Sequence, residues 1–186
     1  MSKTGFLYTC AGLLKDADGT YEKGRHLGTA ATFNITPTAN DVKDHGDNRV
    51  TETDTSVTGG TVSLELNDME QELQAFLLGH KIGETNGEVT ANVDDIAPLV
   101  ILGAIGTSIV NKKNKYIAKA YRNVQFKEPN DENATKQDTT NFTHTTLEGN
   151  IIIPEDGNWK SSAEFDTYET AKTWLEKKCG FGTETV

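Results

Sequence analysis

Lys115–Phe126 reads KYIAKAYRNVQF and Phe142–Ile153 reads FTHTTLEGNIII, and these two stretches decide the fold. Each alternates in the period-two manner of a long strand. Between them lies Lys127–Thr140, KEPNDENATKQDTT, a polar segment without apolar pattern. Two sheet strands joined by a long, charged, irregular excursion describe a scaffold that lends its loop and edges to neighbouring copies. That arrangement points toward assembly rather than catalysis.

The same alternation continues outward. In Thr61-Val62-Ser63-Leu64-Glu65-Leu66 the even positions are apolar and the odd ones polar, so one face is buried and one is wet. Arg49–Val57 is the expected hairpin partner, because Thr58-Gly59-Gly60 supplies glycines for a tight turn. On that partner Val50, Glu52, Asp54 and Ser56 share one side and Thr51, Thr53 and Thr55 the other. Neither side is apolar, so the strand is expected to face water, a lumen or another subunit. Gly5–Leu14, Leu27–Thr36, Pro98–Ala104 and Trp159–Glu164 complete a set of about eight strands, enough for a sandwich or barrel. Lys112-Lys113-Asn114-Lys115, the only basic cluster, reads as a solvated hairpin turn.

Only two segments read as helix. Asn67 is placed as a cap with Glu70 three residues on, followed by Met69, Leu73, Phe76 and Leu77 at helical spacing and Gly79 as the stop. The second has Asp166 or Thr167 as cap, Glu169 in the first turn, Ala171, Trp174 and Leu175 as the apolar stripe, and Gly180 as the end. Trp174 on such a stripe is expected to plug a core or interface. Asp16–His26, Thr38–Asn48 and Lys127–Thr140 remain as long polar stretches, which a compact domain seldom leaves without a role. If they become ordered by docking on neighbours, the interface supplies the burial they lack alone. The predicted organisation is one domain over residues 1–186, mainly β with two flanking helices, with long loops near 38–48 and 127–140 and a C-terminal helix near 167–179.

Composition agrees with a protein of one core. The chain has 186 residues, 35% of them hydrophobic, and no tract approaches the roughly 20 apolar residues that cross a bilayer. Met1-Ser2-Lys3-Thr4-Gly5 has one lysine and no following run of about 7–15 apolar residues, so no secretory leader is expected and synthesis is placed in a cytoplasm. Cys10 and Cys179 stand too far apart in sequence for a metal clip and read as reduced, half-buried thiols. The net charge of −10 arises from 28 acidic against 18 basic residues, a balance that repels nucleic acid.

Catalytic grammar is thin. His26, His45, His80 and His144 form no pair at metal spacing and flank no nucleophile in a recognised motif. Asp16-Ala17-Asp18-Gly19 opens like a calcium loop but lacks the later ligands and the closing glutamate, so it reads as an aspartate-rich turn. Asp94-Asp95 on an extended chain would point to opposite sides and reads as a solvated strand entry. The glycines make no phosphate-binding loop, and the Asn-x-Thr triplets at Asn34, Asn133 and Asn141 are chance matches without a leader. No metal or cofactor is expected.

Several phrases together carry a resemblance. They are Gly60–Leu66 running into Met69–His80, then Asp94–Val100, Tyr121–Phe126, Thr145–Gly149 and Gly157–Lys160. In this order they resemble the major tail proteins that build the tail tube of long, non-contractile-tailed bacteriophages. The likeness runs from about Leu27 to Leu175; Gly5–Lys15 and the tail after Gly180 match only loosely. It implies a β-sandwich or barrel flanked by a helix, stacked hexameric rings, a tape-measure protein within, tail-terminator and distal tail proteins at the ends, and DNA passing through the lumen without specific binding. It also implies a virion tail location after assembly in the host bacterial cytoplasm, with no membrane. Lumen-facing roles are expected for Glu52, Asp54 and Glu65, and contacts between subunits for Asp41, Asp44, Asn130, Asp131 and Lys136. The alternatives are a carbohydrate- or host-receptor-binding β-module, a baseplate or tail-terminator ring protein, and, third, a hydrolase with an unobvious site.

Overall fold

A computed structural model describes residues 2–15, 19–46, 49–67, 69–83, 87–110, 113–130 and 145–182. In chain order the elements are β1 (Ser2–Leu14), β2 (Tyr21–His26), β3 (Ala30–Ala39), β4 (Val42–Gly46), β5 (Arg49–Asp54), β6 (Val57–Leu66), α1 (Gln71–Leu78), β7 (Lys81–Ile82), β8 (Val89–Thr90), β9 (Val100–Val110), β10 (Lys113–Phe126), β11 (Thr145–Ile151), β12 (Lys160–Phe165) and α2 (Tyr168–Lys178). The fold is mainly β, antiparallel and sandwich-like, with two flanking helices. The large sheet has the order β2-β1-β9-β10-β11-β6-β3, with β12 also on β10.

Strand β10 is where the sheet divides. Its first part, Tyr116–Tyr121, pairs with β12, and its end, Val124–Phe126, pairs with Ile151–Gly149 of β11. β10 and β11 therefore do meet, but only over this short span. Register slips between Tyr121 and Val124 on the β9 side, and Asn123 has φ 53, so a bulge bends the strand and lets one edge serve two partners. The bend folds β3, β6 and β11 back over β9 and β10.

Two apolar clusters follow. Leu64, Leu66, Leu77, Leu102, Val124 and Leu147 lie under α1, while Cys10, Ile101, Ile105, Ala118, Ala171 and Leu175 lie under α2. Val100 and Leu102 join the first cluster and Ile101 the second, because neighbours on a strand point to opposite faces. Removing a leucine such as Leu64 from water contributes about 1.5–3 kcal/mol. Trp174 is half-buried beside Phe165, a plug as expected.

Several expectations change. The partners of β6 are β3 and β11, not Arg49–Val57; Thr58, Gly59 and Gly60 lie inside β6 rather than in a turn. Thr38–Asn48, expected as a loop, supplies the end of β3 and all of β4, which pairs with β5. Since Asn40 N–H donates to the Ser56 carbonyl between the two pairings, β3–β4 and β5–β6 form one long ribbon. Within Asp16–His26 the chain forms β2. Asn67 does not cap α1: its N–H donates to the Thr29 carbonyl, and Glu70 is the cap residue. Thr167 does cap α2, accepting from the Thr170 N–H at 3.4 Å. No described helix is long and apolar enough to cross a membrane.

Candidate functional site

The sheet β3-β6-β11 turns its apolar residues inward and leaves a polar face outward. Register aligns Thr32 with Glu65 and Thr146, Asn34 with Ser63 and Glu148, and Thr36 with Thr61 and Asn150. Gln125 of β10 continues the last rung beside Asn150. These residues alternate with buried Val62, Leu64, Leu66, Leu147 and Ile151, so every one stands on the wet side. The face carries Glu65 and Glu148 and no lysine or arginine; Lys127 sits at its rim in a shallow depression of about 220 Å³. Glu65 Oε2 accepts from Thr32 Oγ1 at 3.1 Å, which orients its carboxylate along the face.

Glu65 is the sequence-predicted lumen residue that belongs to this face. Glu52 and Asp54 lie on β5, in register with Asp44 and Val42 of β4, on the far ribbon. Asp41 is exposed between β3 and β4, and Asn130 is exposed after β10. Asp131 and Lys136 lie outside the described residues. Glu148 escaped the sequence reading because its place beside Ser63 depends on β11 pairing with β6, a contact between distant parts of the chain.

Sheet edges are the second feature. Among the described residues, β3 and β12 each pair along one edge only, whereas β2, which also pairs with a single strand, is bonded and packed by the C-terminal turn, the Gly24 N–H donating to the Gly180 carbonyl at 3.3 Å. Pro37 within β3 suits such an edge, since proline donates no ladder hydrogen bond. Unpaired edges are sites of strand addition from another chain.

A third cluster surrounds His80. Its Nδ1 lies 3.1 Å from Asp95 Oδ2 and its Nε2 3.0 Å from Glu128 Oε2. Asp95 therefore turns inward instead of standing as a solvated strand entry. The Asn92 N–H and then His80 hold its carboxyl below the usual carboxylate range. Among the described residues the ring bonds to no hydroxyl or thiol, so the arrangement fastens the 91–98 loop and the exit of β10 to the end of α1. No described group of three or more metal-ligating side chains converges.

Cys10 and Cys179 also differ from expectation: both are fully buried, and their sulfurs are in contact. Sequence distance hid a neighbour relation that the packing of α2 on β1 creates.

A family model described as phage tail tube protein matches residues 2–185. No curated protein matches the chain.

Proposed function

Since the chain belongs to the phage tail tube protein family, we propose that copies of it join into stacked hexameric rings whose shared channel carries DNA. A structural role in the virion tail follows from the family; the ring, the channel and its lining are our reading. The observation that carries it is the face of β3-β6-β11, polar throughout, with the carboxylates Glu65 and Glu148 and no cation on its strands.

Such a face suits the wall of a DNA conduit. Carboxylates and neutral hydroxyls offer phosphate no counter-charge, whereas lysines and arginines would create affinity and drag. Joining the open edge of β3 to a neighbouring copy would extend this sheet around the ring and remove an aggregation hazard at the same step. The ribbon β4–β5, with Glu52, Asp54 and Asp44, extends beyond the main sheet and is assigned to contacts between copies rather than to the wall. Asp41, Asn130, Asp131 and Lys136 are assigned to the same contacts. Inside the channel we place a tape-measure protein during assembly, with terminator and distal tail proteins at the two ends.

Negative-stain electron microscopy of the purified protein, at rising concentration, tests the reading. Rings or hollow tubes are the expected result. A monodisperse monomer at every concentration that also binds glycans would replace the tube with a receptor-binding module.

A further inference from the structure

Two surface features are left unused by the fold, and they match. The first is a knob. Asp95 N–H donates to the Asn92 carbonyl at 3.0 Å, Asn92 N–H to Asp95 Oδ2 at 2.9 Å, and Asp94 N–H to the Asn92 side-chain oxygen at 3.1 Å. His80 pins this turn to the end of α1. The turn so fastened holds Val93 97% exposed and Ile96 80% exposed, with the Asp94 carboxylate between them. A single exposed apolar residue is ordinary. Two of them on a turn already fixed by hydrogen bonds form a preorganised surface, whose ordering cost is met before any partner arrives.

The second is a cleft of about 840 Å³ between the last turn of α2, the start of β2 and the bulge of β10. Tyr21, Ile101 and Trp174 line it, with Arg122, Lys177 and Lys178 around them. Among the described residues its one lining carboxylate, Asp156, is committed to Arg122 at 2.7 Å. Among the described residues Lys177 and Lys178 have no ion-pair partner, and Lys178 stands over the Trp174 ring at 5.7 Å. In a chain of net charge −10, a concave surface that is aromatic within and cationic around is the complement of a convex surface that is apolar and acidic.

We propose that the Val93 turn of one copy seats in the Trp174–Lys178 cleft of a second copy. Val93 and Ile96 cover the Trp174 ring, and Asp94 faces Lys177 and Lys178. The knob leads from α1 and the cleft lies under α2, and these helices cover opposite faces of β9. Each copy therefore donates a knob at one side and offers a cleft at the other. That contact is head-to-tail, the kind that closes into rings or continues as a filament. The inference rests on the tube reading for the existence of like neighbours, and its test separates the two.

Val93→Cys and Lys178→Cys are made as separate variants, since both positions are at the surface and neither disturbs a core. Mixed and treated with a short bismaleimide, they should give a covalent species of twice the chain mass, absent from either variant alone. Val93→Asp should leave the melting temperature in place, and Lys177→Glu with Lys178→Glu should lower it slightly by reversing charge at the C-terminus of α2; each should raise the concentration needed for assembly at least tenfold. Asp94→Lys added to the lysine-reversed chain should restore part of that loss. Wild-type tubes with no cross-link in the mixture would overturn the knob-and-cleft contact and leave the tube reading standing. A specific cross-link without rings or tubes would keep the contact and remove the tube. Neither cross-link nor assembly would sink both.

Discussion

The sulfur of Cys10 on β1 lies 3.3 Å from that of Cys179 at the end of α2, and both thiols are free and fully buried. The contact joins the two ends of the described chain across the cluster under α2, with Leu175 packed beside it. The hydrogen bond with Cys179 and burial push the Cys10 thiol far up, so the reactive thiolate is suppressed. An aromatic disulfide reagent should therefore label neither cysteine in the native protein and both in guanidinium. Rapid labelling of either one under native conditions would mean that α2 detaches from β1 at low cost.

Gly180 and Gly182 separate packing from backbone strain in the same turn. Both have left-handed φ, 75 and 78, but a Cβ on Gly180 would meet the Tyr21 carbonyl oxygen at 2.1 Å, while one on Gly182 meets nothing within 4 Å. Gly182→Ala should cost about 1–2 kcal/mol from the left-handed conformation alone. Gly180→Ala should cost on the order of 1–3 kcal/mol more, because the β2 backbone has to move. Chemical denaturation of the pair measures the difference; equal losses would show that the C-terminal turn does not bear on β2.

The parts of this architecture legible in the sequence were those set by neighbouring residues. Alternation marked β10 and β11, the Thr167 cap and Gly180 bounded α2, and Leu73 and Leu77 marked the buried side of α1. What failed was partner choice. Gly59 and Gly60 suggested a turn, yet Gly60 lies within β6 where a Cβ would sit 3.0 Å from the Thr36 carbonyl oxygen and 3.3 Å from the Ile151 side chain. The residue is small because strands approach closely there, and a local reading cannot distinguish that demand from a turn's. The polar face had the same limit: Glu65 was readable from its own strand, but Glu148 joins it only through long-range register.

Acid should loosen the clasp between Arg122 and Asp156. Arg122 first, and then the Asn158 N–H, hold the Asp156 carboxyl below its usual range, and Asp166 is lowered in the same sense by Lys115. A depressed folded-state value means stability that is present above the ordinary carboxylate range near about pH 4 and lost as pH falls through the lower folded value. Burial holds His26 below the ordinary histidine value, so thermal midpoints should decline gently below about pH 6.5 and more steeply below about pH 5, where the carboxylates protonate. Asp156→Asn should lower the midpoint at neutral pH and flatten the acid decline; an unchanged acid limb would remove the clasp as its source.

Asn130, past the end of β10, is exposed, and the segment that follows it is assigned to contacts between copies. Deleting residues 130–136 should leave the melting temperature nearly unchanged and abolish tubes. Tubes of ordinary length from the shortened chain would return the segment to solvent.

The lumen assignment makes the sharpest demand on two carboxylates. Glu65 and Glu148 stand on the wet face of adjacent strands, on neighbouring rungs through Thr146 and Ser63, so charge reversal at both changes the face without touching the cluster beneath. Glu65→Lys removes one acceptor, that of Thr32, at a cost of about 1 kcal/mol. Assembly should survive, because the open edges and the knob lie elsewhere. Passage of DNA should not: lysines repeated around a ring and along a stack present phosphate with a lattice of counter-charges, and each contact formed releases counterions, so the drag weakens with added salt. Tubes of the doubly reversed chain should therefore retain labelled DNA that wild-type tubes release, with retention falling steeply as ionic strength rises. Retention identical to wild type at low salt would place these carboxylates outside the channel, and the face of β3-β6-β11 would have to be an outer surface of the tail.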